Sequence, residues 1–162
     1  MVSTFTELST RRSSTMSLIT DKVFYNALAA STDLAAYVDE RIYNTSIAVP
    51  DEDLLNELVP YIIITFDGMQ NEGYTKDNSF EGDTDKVQIG IEITAADRET
   101  LGTIADLVRS TVIAYFEATE GHAIDDYDLV PQDYNLTAGP IQYDPVKPCF
   151  FQTLTYNCDT NP

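Results

Sequence analysis

Across residues 87–93 the chain alternates without a break: Val87, Ile89, Ile91 and Ile93 are apolar, while Gln88, Gly90 and Glu92 between them are not. A period of two requires a strand with one dry face and one wet face. Its neighbours fix what that strand joins. Upstream, Pro60-Tyr61-Ile62-Ile63-Ile64-Thr65-Phe66 is rich in β-branched and aromatic residues, with proline at the first position, where the missing N–H is tolerated. Its consecutive isoleucines predict cover on both faces of this second strand. Downstream, Asp97 with Glu99 and Thr100 marks a helix start. Leu101, Ile104, Ala105, Val108, Val112, Tyr115 and Phe116 then fall on one stripe, roughly 120° wide, as a core-facing helix requires. Two strands feeding a long amphipathic helix commit this region of the chain to a sheet with a helix laid on it.

The flanking segments extend that plan. Leu18, Ile19, Val23, Ala27 and Leu28 share one helical face, and Asp33 reads as the N-cap of a short second helix over 34–38. Residues 41–46 read as a short strand. Pro50 and the acids Asp51, Glu52, Asp53 and Glu57 mark a loop with one helical turn near 52–58. The long helix ends near Gly121, and 122–131 is an acidic loop. Residues 134–143 read as a strand interrupted at Gly139-Pro140. Asp144-Pro145 turns the chain into a final strand over 149–158. The expected fold is α+β: a mostly antiparallel sheet with the long helix and the short N-terminal helix pair packed on one face. Residues 17–162 form one domain of sufficient length for a real core. Residues 1–16 read as a flexible arm, rich in Ser and Thr, without the apolar stretch of a signal peptide.

Residues 68–85 would make an unusually long hairpin connection, and long loops in compact domains are commonly functional. The segment carries Tyr74, Lys76, Asn78 and Phe80 among the acids Glu72, Asp77, Glu81, Asp83 and Asp85. The aromatics either anchor a partner or fold back on the sheet. Glu81, Asp83 and Asp85 would align in an extended segment, but they lack the position pattern of an EF-hand and read as a solvated acidic loop. The same reading holds for Asp125, Asp126 and Asp128.

No catalytic set is visible. The single histidine, His122, follows Gly121 at a helix exit, and no nucleophile is placed with it. There is no nucleotide-binding glycine motif, no metal spacing and no implied cofactor. Cys149 and Cys158 lie too far apart on one strand to bridge, so they are free thiols. Asn44-Thr45-Ser46 and Asn135-Leu136-Thr137 match the glycosylation sequon, a frequent chance match. No apolar run reaches membrane-spanning length. The formal net charge is −18. That balance opposes ordinary binding to a phosphate backbone, which needs clustered cations. It fits a solvated surface, a surface past which DNA slides, or a mimic of DNA that occupies a basic groove.

The order of these segments resembles the tail-terminator, or tail-completion, proteins of long-tailed bacteriophages. The resemblance rests on Leu34-Ala35-Ala36-Tyr37-Val38 followed by Arg41-Ile42-Tyr43, then Pro60-Tyr61-Ile62-Ile63-Ile64. It continues with Val87-Gln88-Ile89-Gly90-Ile91-Glu92 running into the helix at 95–100, and closes with Gln152-Thr153-Leu154-Thr155-Tyr156. The family strand often carries a bulky aromatic where Glu92-Ile93 stand, and residues 121–148 are more elaborate here than usual. The resemblance implies a non-enzymatic virion protein: a homo-oligomeric, usually hexameric ring at the head-proximal end of a tail. Such a ring ends the tube, meets the tail tube protein and the head–tail connector protein, and lets DNA pass without specific binding. It is made in the host cytoplasm and needs no membrane. Tyr74, Lys76, Asn78 and Phe80 would then contact a partner, and Glu72, Asp77, Glu81, Asp83 and Asp85 would line an acidic lumen or rim. The alternative from another class is a small acidic DNA mimic or inhibitor, which would not form rings.

Overall fold

The computed structural model describes residues 20–45, 49–72, 84–118 and 133–160. In chain order these form α1 (Thr20–Ala29), α2 (Thr32–Val38), β1 (Ile42–Asn44), α3 (Glu52–Glu57), β2 (Tyr61–Glu72), β3 (Thr84–Ala95), α4 (Arg98–Ala118), β4 (Asp133–Ala138), β5 (Gln142–Asp144) and β6 (Cys149–Thr160). The strands make one sheet in the order β1-β2-β3-β6-β4, and β5 pairs with β6 beyond the end of β4. All pairings are antiparallel except β1 with β2. The sheet is therefore mostly antiparallel and the fold is α+β, as the sequence implies.

The alternation of β3 sets the layers. Val87, Ile89, Ile91 and Ile93 are at most 1% exposed and face the helices with Ile62 and Ile64 of β2 and Leu154 and Tyr156 of β6. The α4 stripe meets them: Leu101, Ile104, Val108 and Val112 are fully buried, and Phe116 nearly so. From α1, Phe24 stands at the centre of an aromatic cluster. Its ring lies 5.3 Å from Phe116, edge-on, and 5.1 Å from Tyr156. Tyr134 of β4 closes the group at 5.2 Å from Phe116. Edge-to-face contacts of this kind add to plain apolar burial.

Local chemistry sets the element ends. Asp97 caps α4: its Oδ1 accepts from the Thr100 N–H at 2.7 Å and its Oδ2 from the Thr100 hydroxyl at 2.9 Å. Those bonds hold the Asp97 carboxyl below its usual range. Ser31, not Asp33, caps α2, accepting from the Leu34 N–H at 3.2 Å. Arg41 ties α2 to the start of β2, donating from Nε to the Pro60 carbonyl at 2.9 Å and from Nη2 to that of Tyr37 at 3.2 Å. Gly139 breaks the β6 partner strand into β4 and β5 where its N–H donates to the Thr153 carbonyl at 2.9 Å. A Cβ there would sit 3.1 Å from that same oxygen.

Two further expectations change. The hairpin is not a loop over 68–85: β2 runs on to Glu72 and β3 begins at Thr84, with Glu72 opposite Thr84. Backbone pairing carries both strands through polar residues that show no strand pattern of their own. The isoleucine run is covered on one face only. Ile62 and Ile64 are fully buried, whereas Ile63 is half-buried on the side of the sheet that no described helix covers.

Candidate assembly surfaces

The face of the sheet that no described helix covers mixes polar residues with Tyr61 and Ile63. A β-bulge at Asp67 turns its carboxylate toward Gly90, and the Thr65 hydroxyl donates to Asp67 Oδ1 at 2.7 Å. Gly68, next in the bulge, has φ 150°, a conformation open to glycine. Glu92 stands mid-face, between Ile63 on β2 and Thr153 on β6. Burial raises its carboxyl above the usual value. Beside it, burial raises the Tyr61 phenol, against the opposing effect of a hydrogen bond with Thr94.

Among the described residues, exposed apolar side chains occur singly at Tyr37, Leu54, Met69 and Ile113, and three more lie close together in sequence around β5. Ile141 is 37% exposed, Tyr143 52% and Val146 87%, all within the β5 segment. The Tyr143 ring leans on Phe150, 4.9 Å between centroids. Ile141 and Tyr143 share an open concavity of 420 Å³ with Arg98, Gly139 and Gln152. The turn beyond is fixed by Asp144, whose Oδ1 accepts from the N–H groups of Val146 at 3.0 Å and Lys147 at 3.3 Å. Sequence reasoning did not single out this margin. An apolar residue on a short strand reads as core until the helix layer is seen to stop short of it.

Of the residues expected at a partner surface, Tyr74, Lys76, Asn78 and Phe80 lie outside the described residues, as do Asp77, Glu81 and Asp83. His122 and the acids Asp125, Asp126 and Asp128 also lie outside them. Glu72 ends β2. Asp85 belongs to β3 rather than to a loop, opposite Asn71 and Thr160, and is only 4% exposed. It therefore forms no exposed rim on the isolated chain. Among the described residues no group of three or more His, Cys, Asp or Glu side chains is placed to hold a metal ion. Cys149 and Cys158 are both free and buried. Burial, reinforced by Asp159, pushes the Cys158 thiol up to about 12.

Among the described residues the sheet is therefore covered by helices on one face only. The chain belongs to the family described as Tail completion protein gp17, whose sequence profile matches residues 22–134, from α1 to the start of β4. It is a structural phage tail protein. No curated protein matches the chain. Among solved structures, a chain in "Virion of native gene transfer agent (GTA) particle" has the same fold: TM-score 0.59 and 15% identity, covering 88% of this chain and 94% of that one.

Proposed function

We propose that this protein forms a ring, of six copies, at the head-proximal end of a phage tail, where it ends the tail tube and joins it to the head connector. Membership of the tail-completion family over residues 22–134 carries this reading. The net charge of −18 supports it, because a collar around a DNA path must not hold the DNA it passes. On this reading Tyr74, Lys76, Asn78 and Phe80 anchor the tube or connector protein. Glu72, Asp77, Glu81 and Asp83 supply negative charge toward the lumen. The protein acts without catalysis, cofactor or membrane.

The test is its position in assembled particles. Imaging of tails carrying an affinity-tagged copy is expected to place the tag at the junction with the head, on a sixfold collar. Particles lacking the protein are expected to carry tails of uncontrolled length or heads without tails. A tag found along the tube, or found in no particle, overturns the reading. A soluble chain that stays monomeric and binds a basic DNA-binding protein would instead identify it as a DNA mimic.

A further inference from the structure

We draw no further inference here: the strongest candidate, the polar trough of 470 Å³ floored by Gly68, Gln88, Asn157 and Asn135 on the face of the sheet that no described helix covers, carries nothing, because nothing in the structure shows what covers it.

Discussion

A Cβ at position 90 would lie 2.6 Å from both Asp67 Oδ2 and Thr65 Oγ1, so Gly90 is what lets the bulge turn an acid onto the open face. Its neighbour Glu92 carries the opposite lesson, a carboxylate kept where water is scarce. Because burial raises its folded value, the protonated form is favoured on folding; that contribution is intact below the ordinary glutamate range and is lost as pH rises through the raised value. Glu92→Gln is accordingly expected to raise the urea midpoint slightly near neutral pH, with the gain vanishing at about pH 4, below the ordinary glutamate value. A gain that grows on acidification would refute the account. The thiols give a second residue-scale expectation. Cys158 is 1% exposed and its thiolate is disfavoured up to about 12, so a disulfide-exchange reagent should label it only as the chain unfolds. Labelling in native buffer as fast as that of a free thiol would contradict this. Gly90 and Glu92 were both visible in the sequence as the polar half of an alternation. Their roles were not, because the bulge that brings Asp67 opposite Gly90 belongs to the pairing of two strands.

Among the elements, α4 was legible because one residue in three or four repeats an apolar side chain and Asp97 supplies the cap. The cap of α2 was ambiguous: Ser31 and Asp33 are both capping types two residues apart, and only the geometry selects Ser31. The ends of β2 and β3 were illegible for another reason. Met69-Gln70-Asn71-Glu72 and Thr84-Asp85-Lys86 hold strand geometry through the ladder, not through their own propensity. The candidate site followed the same divide: the acids and aromatics of 68–85 stand out by composition, whereas the β5 margin is exposed only by the limits of the helix layer. Where elements meet, Phe24 joins α1 to α4 and β6 through two ring contacts. Phe24→Ala should cost about 3–5 kcal/mol of stability, read from the shift in denaturant midpoint. A cost below about 1 kcal/mol, far under that range, would mean the cluster adds little. The hairpin end is different. Because Glu72 and Thr84 are already paired, replacing 73–83 with Asn-Gly should leave the unfolding midpoint within about 0.5 kcal/mol of wild type, as expected away from the core, and impair tail attachment. Normal tails from that variant would show that the segment contributes no contact.

On the scale of the whole molecule, net charge opposes the association of like copies. Each copy brings −18, and at low ionic strength that repulsion reaches across neighbouring subunits. Ring formation should therefore strengthen as salt rises from about 10 mM to about 150 mM, over which screening shortens from roughly 30 Å to roughly 8 Å. Light scattering across that range checks it, and rings that dissolve on adding salt would count against it. The sheet also decides how the body bears load. β3 is paired with β2 from Thr84 through Thr94, apart from the bulge at Asp67, and with β6 from Asp85 through Ala95. A pull directed along these strands strains both ladders at once, in shear. A pull directed across the sheet at β5 meets only the pairs from Gln142 to Asp144, which open in succession like a zip. The same subunit is thus tough in one direction and yielding in the other, and the orientation in which it is mounted determines which of the two an applied load tests.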